Sequence, residues 1–143
     1  MVCLGNICRS PLAEGILKEK LPNNLFTVDS AGTVGFHIGR PPDPRSIDVA
    51  AQNGISIGHL KARKFTPADF RKFDKIYVMD RQNLSQVQSL AATPEEENKV
   101  TLLMESEEIP DPYYGGVEDF KTVFDLLNTA CNARRDQLLK NLS

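Results

Sequence analysis

Short apolar runs alternate with helical stretches along this chain, and that alternation leaves few folds open. Met1-Val2-Cys3-Leu4 reads as a strand that runs into a glycine. Ser10-Pro11 follows as an N-cap with proline at the first helical position, and Ala13, Ile16, Leu17 and Leu21 recur at helical spacing. Phe26 to Ser30 reads as a second strand, and the glycine- and proline-rich stretch from Ala31 to Pro42 as a loop. Asp43-Pro44 caps a helix with Ile47, Ala50 and Ala51 inward and Gly54 past its end. Thr66 to Asp69 opens another, with Phe65 and Phe70 placed as a hydrophobic staple. Lys75–Met79 is a strand, Asp80 caps a helix through about Leu90, Glu95–Glu97 is a solvated loop or short helix, and Lys99–Leu103 is the last strand. Phe120, Val123, Phe124, Leu127, Cys131 and Leu138 mark one face of a long final helix. Four strands and about five helices in this order predict an α/β domain, a small parallel sheet with helices on both faces. Ligands of such sheets bind beyond the carboxyl ends of the strands, which here means Gly5–Ser10 and the loops after the other strands.

At 143 residues the chain has room for one domain, residues 1–143, with one core. The 17 basic and 19 acidic side chains nearly cancel, leaving none of the basic excess of a nucleic-acid binder. No apolar run reaches the roughly 20 residues of a membrane span, and the start lacks the pattern of a signal peptide. A cytoplasmic protein is expected, with no nucleic-acid or membrane partner. Three cysteines do not make a disulfide scaffold, but they allow a free reactive thiol. His37 and His59 lack ligand spacing with each other and with the cysteines, so no zinc site is expected.

The segment C-L-G-N-I-C-R-S carries the chemistry. Five residues separate Cys3 from Arg9, and the segment joins a strand to a helix. A loop of that length can wrap its N–H groups into a ring that binds an oxyanion, and the following helix adds its positive end. Arg9 brings a planar fork for two anion oxygens. Cys3, at the base of the loop, sits under the anion's central atom. A helix N-terminus and a nearby arginine favour the thiolate, which makes such a cysteine a nucleophile for bound phosphate. Ser10 is placed to donate its hydroxyl to the sulfur, and Gly5 and Asn6 tolerate the tight loop. Cys8 is either a small packing residue or a partner for a reversible disulfide with Cys3. Cys131 lies on the apolar stripe of the last helix and belongs to the core.

Transfer of a phosphoryl group to sulfur leaves an oxygen that needs a proton. Asp111, in I-P-D-P-Y-Y-G-G, is the best candidate acid: prolines bracket it, glycines close the segment, and the loop follows the last strand. Tyr113 and Tyr114 offer aromatic walls for a ring-bearing substrate. Asp29 and Asp43 read as a strand end and a helix cap. Asp80 can reach the first helical turn and brace Ser10.

V-C-L-G-N-I-C-R-S-P together with D-P-Y-Y-G resembles the low-molecular-weight protein tyrosine phosphatase family. D-S-A-G at residues 29–32, G-R-P-P-D-P-R at 39–45, K-A-R at 61–63 and V-M-D at 78–80 extend the resemblance over nearly the whole chain. It implies a four-stranded parallel sheet in the order 2-1-3-4 and a two-step mechanism without metal or cofactor. Cys3 takes the phosphoryl group, Arg9 and the amides from Leu4 through Gly5, Asn6, Ile7 and Cys8 to Arg9 hold its oxygens, and Asp111 protonates the leaving oxygen and then activates water. Asn6 holds the loop shape and Ser10 stabilises the thiolate. Phe36, Tyr113 and Tyr114 line the cleft, and phosphotyrosine-containing proteins are the implied partners. Chains of this family carry more apolar residues ahead of V-C, so a shortened central strand is expected here.

Two related activities fit less well. Thioredoxin-coupled arsenate reductases need further cysteines to relay a disulfide, and none lies between Arg9 and Ala130. Protein-arginine phosphatases tend to carry threonine where Ile7 stands, although that activity is the runner-up. From a different class, a phosphate-binding module without catalysis remains the third reading.

Overall fold

The computed structural model describes residues 1–142. Strands β1 (Val2–Cys3), β2 (Ala31–Gly32), β3 (Ile76–Val78) and β4 (Val100–Leu102) form one parallel sheet in the order β2-β1-β3-β4. The connections carry α1 (Arg9–Lys20) after β1, α2 (Pro44–Gln52) and α3 (Asp69–Lys72) after β2, and α4 (Arg81–Gln88) and α5 (Pro94–Asn98) after β3. Helix α6 (Val117–Lys140) follows β4.

Side chains of a strand point alternately to the two faces of a sheet. That period separates two cores here. Met1, Cys3, Tyr77 and Met79 face one side, where they join Leu12 and Ile16 of α1, Ala50 of α2, and Phe120 and Leu127 of α6. Val2, Ile76 and Val78 face the other side, with Phe65, Phe70 and Val87. Full burial of a Leu, Ile or Phe side chain contributes about 1.5–3 kcal/mol, so both faces are strongly held. The same alternation turns Cys3 toward α1. Gly15 lets α1 seat closely, since a Cβ there would lie 2.5 Å from Ile57 Cγ2. Arg134 of α6 donates to the carbonyls of Leu102 (2.6 Å) and Leu103 (3.0 Å) at the end of β4.

The alternating order, the strand order and the last two strands match the expectations from sequence. Several local expectations need correction. Phe26–Ser30 is not a strand. The ladder starts one residue later, where Ala31 N–H donates to Met1 O (3.0 Å), while Phe26 and Val28 pack on the first core as half-buried side chains. Ser10 is not the cap of α1. The helix starts at Arg9 with Cys8 in the cap position, and no side chain caps it. Pro11 is then in the third helical position, still inside the turn whose N–H groups need no intrahelical partner. On α2 Ala50 is buried and Ile47 packs half-buried on the first core as expected, Ser46 and Val49 are buried too, and Ala51 is exposed. Helix α4 stops at Gln88, ahead of an exposed Leu90. The rings of Phe65 and Phe70 meet edge to face at 5.2 Å, but α3 opens at Asp69 with Ala68 in the cap position, so the pair does not occupy the staple positions. No helix among the described residues is long and apolar enough to cross a membrane.

Candidate active site

Residues 4–8 join β1 to α1 at the carboxyl end of the sheet. Asn6 takes a left-handed conformation (φ 58°), which Asn adopts more readily than most side chains. Its side chain holds the loop from within. The Nδ2 group donates to Ser10 Oγ (2.7 Å) and Ser30 Oγ (3.0 Å), and Oδ1 accepts from Arg63 N (3.0 Å). Ser30 Oγ donates onward to Glu14 Oε1 (2.7 Å). Each member of this chain except Arg63 is buried. Ser10 Oγ accepts from Asn6 and lies 3.0 Å from Cys3 Sγ and 3.5 Å from Ala31 O, so its proton has the sulfur as the nearer of two acceptors.

Two neighbours fix the loop from outside. Gly32 of β2 passes so close that an added Cβ would lie 2.8 Å from Leu4 O and 3.1 Å from Asn6 N. The residues after it follow the loop, with Thr33 N–H donating to Cys3 O (2.9 Å) and Val34 N–H to Leu4 O (3.0 Å). On the far side Asp43 N–H donates to Ile7 O (2.7 Å) and Ser46 Oγ to Cys8 O (3.3 Å). The carbonyls of Leu4, Ile7 and Cys8 are therefore tied outward, while the amides of residues 5–8 donate to no backbone carbonyl among the described residues. Unpaired N–H groups ahead of an uncapped helix are a ready anion site.

Arg9 is buried beside this loop. Its Nη1 donates to Asp80 Oδ2 (2.7 Å) and to Ile109 O (2.9 Å). That occupies one end of the guanidinium and leaves the Nε–Nη2 edge without a hydrogen bond among the described residues, a fork suited to two oxygens of an anion. Asp80 does not brace Ser10. Its second oxygen accepts from Asn83 N (2.8 Å) and caps α4. Asp111 comes from the opposite side: its Oδ2 is 3.7 Å from Arg9 Nη2, its Oδ1 accepts from Tyr113 N (3.1 Å), and its side chain is 41% exposed. Cys3, Arg9 and Ser10, from one short segment, and Asp111, some hundred positions on, thus meet at one end of the sheet.

The aromatic residues are less closely joined. Tyr113 and Tyr114 meet edge to face at 4.9 Å, with Tyr114 96% exposed. Phe36, on the loop after β2, is 84% exposed, and no ring contact joins it to either tyrosine among the described residues. The three cysteines are free thiols. Burial pushes the Cys8 and Cys131 thiols up to about 12, so both stay protonated at neutral pH. No group of three or more His, Cys, Asp or Glu side chains among the described residues is arranged to hold a metal ion.

Residues 1–143 match the family described as low molecular weight phosphotyrosine protein phosphatase. The chain belongs to this family. The low molecular weight phosphotyrosine protein phosphatase of Schizosaccharomyces pombe is 42% identical over 130 residues, which cover 83% of this chain and 82% of the relative. Among solved structures, a protein tyrosine phosphatase from Entamoeba histolytica with Hepes in its active site matches at a TM-score of 0.91 and 33% identity, over 99% of this chain and 96% of that one. The Wzb protein of Vibrio vulnificus in complex with benzylphosphonate matches at a TM-score of 0.88 and 34% identity, over 95% and 94%.

Several residues of this phosphatase-family site were not singled out from sequence. Glu14 and Ser30 extend the network behind Asn6, and Arg45 of α2 reaches the loop that carries Asp111. Ser30 and Arg45 lie inside motifs of the family pattern, D-S-A-G and G-R-P-P-D-P-R, which was their only signal. Glu14 had none, because a glutamate in a helix ordinarily faces water.

Proposed function

We propose that this protein hydrolyses phosphotyrosine in proteins, and small aryl phosphates, through a cysteinyl-phosphate intermediate. Arg9 carries the reading. It opens the helix behind the cysteine loop and stands 3.7 Å from Asp111, so nucleophile, anion fork and acid serve one bound group. The phosphoryl oxygens are held by the amides of residues 4–9 and by the Nε–Nη2 edge of Arg9. The Cys3 sulfur forms a bond to phosphorus as the bond to the tyrosine oxygen breaks, and Asp111 in its acid form gives that oxygen a proton. Water then attacks phosphorus, Asp111 takes its proton, and the sulfur leaves as a thiolate that receives the Ser10 hydrogen bond.

The Tyr113–Tyr114 pair and the apolar Ile7 suit a phenyl ring, which favours phosphotyrosine over phosphoarginine. Three free thiols and a near-neutral charge fit a reducing, cytoplasmic setting and a protein substrate, not a nucleic acid. The test is hydrolysis of p-nitrophenyl phosphate, phosphotyrosine peptides and phosphoarginine peptides with chelator present, for the parent chain and Cys3→Ser. Chelator-resistant turnover of the tyrosine substrates that disappears in the variant is expected. Turnover that persists in Cys3→Ser overturns the reading, and a folded parent with phosphate affinity but no turnover makes the chain a binding module.

A further inference from the structure

The N-terminus of α2 touches both halves of the site. Its backbone is tied to the cysteine loop through Asp43 N–H and Ile7 O. Its Arg45 side chain reaches the other way. One edge of the guanidinium is locked on Asp43, with Nε to Oδ1 at 3.0 Å and Nη2 to Oδ2 at 2.9 Å. The remaining N–H groups donate to Tyr113 O (2.9 Å, from Nη2) and Gly115 O (2.8 Å, from Nη1). The guanidinium carbon lies 4.4 Å from the centroid of the Phe120 ring, which is buried at the start of α6.

Asp111 is therefore suspended between two arginines. On one side Ile109 O is held by Arg9. On the other, Tyr113 O is held by Arg45, and Tyr113 N–H is the donor that orients the Asp111 carboxylate. Pro110 and Pro112 stiffen the short span between these ties.

We propose that Arg45 is a positioning residue that sets the reach of Asp111 toward the leaving oxygen, with Asp43 as its anchor. This rests on Asp111 being the general acid. A guanidinium does this in full, since it binds one carboxylate and two carbonyls at once beside a ring, whereas an ammonium can replace only part of that set. Among the described residues the Arg45 side chain makes no hydrogen bond or ion pair to the anion-holding loop, and the Asp43–Ile7 bond is backbone to backbone. Its removal therefore moves the acid and leaves phosphate binding intact.

The experiment measures kcat/KM for aryl phosphates of graded leaving-group acidity, together with inhibition by inorganic phosphate. The chains compared are the parent, Arg45→Met, Arg45→Lys, Asp111→Asn and Arg45→Met with Asp111→Asn. Arg45→Met is expected to lose about 10- to 100-fold on phenyl phosphate, because a small misplacement of a catalytic group has effects of that size. It should lose far less on p-nitrophenyl phosphate, whose phenolate leaves without a proton. Arg45→Lys is expected to recover part of the loss, phosphate inhibition to stay within about twofold, and the double variant to be no worse than Asp111→Asn. An equal loss on every substrate, weakened phosphate inhibition, or a loss that adds to that of Asp111→Asn overturns the proposal. So does an unchanged Arg45→Met beside a sensitive Asp111→Asn, which leaves the acid itself standing. A leaving-group dependence untouched in Asp111→Asn removes both. If Arg45→Met does not fold, the steeper leaving-group dependence is sought in Arg45→Lys, and its absence there counts against the proposal.

Discussion

Three cysteines of one chain differ in chemistry because their surroundings differ. Cys131 is enclosed by the α1–α6 core, and Cys8 is buried beside Asp43; burial pushes both thiols up to about 12. Cys3 is the one with a hydroxyl at 3.0 Å and the uncapped start of a helix ahead of it. Iodoacetate at neutral pH should therefore label Cys3 alone, and labelling of Cys8 and Cys131 should rise only as the pH is taken toward 12, as read by peptide mapping. Carboxymethylation of Cys8 at pH 7 as fast as that of Cys3 contradicts this. Cys3, Arg9 and Ser10 were legible as candidates because their spacing falls between a strand and a helix, and Asp111 became one only beside that loop, since alone it reads as a turn residue. The partner of Asp80 was not legible. Arg9 and Asp80 are 71 positions apart, and no local pattern says whether a cap residue has a second oxygen engaged elsewhere.

At the scale of elements, the start of α1 shows why a rule failed. Ser-Pro normally marks an N-cap and the first helical residue. Here the cap position is left without a side-chain acceptor, and the hydroxyl that would have served is turned to the sulfur. A buried hydrogen-bond network has taken the hydroxyl from capping, which usually contributes about 1 kcal/mol. The second strand was misplaced for another reason. Phe26 and Val28 have strand-like residue types, but the ladder depends on where backbone meets β1, and that begins at Ala31. Gly32 follows from the same meeting. Since its Cβ would strike backbone atoms of Leu4, Gly5 and Asn6, Gly32→Ala is expected to push the loop outward. The predicted result is at least about a tenfold weaker inhibition by phosphate and a parallel fall in kcat/KM. Unchanged phosphate inhibition in a folded Gly32→Ala protein would show that the loop does not depend on this close approach.

For the whole molecule, the parallel sheet followed from alternating elements, because a chain with short strands separated by helices has few ways to cover both faces, whereas the strand order came with the family resemblance. Cys3 is positioned by that architecture: the pleat sends it to the α1 face while Val2 goes to the other core. The loop carrying Asp111 is delivered by β4, at the opposite edge of the sheet from β2. The sequence showed each loop separately, but only the assembled sheet shows Arg9 between Asp80 and Asp111. The central claim is that these parts pass a phosphoryl group through Cys3. It is tested most directly by mixing the enzyme with a phosphotyrosine peptide, quenching in acid within milliseconds, and locating the phosphoryl group by peptide mapping. One phosphoryl group on Cys3, absent from Cys3→Ser and longer-lived when Asp111→Asn slows the attack of water, is the predicted result. Rapid turnover with no phosphoryl group on Cys3 at any time would contradict it.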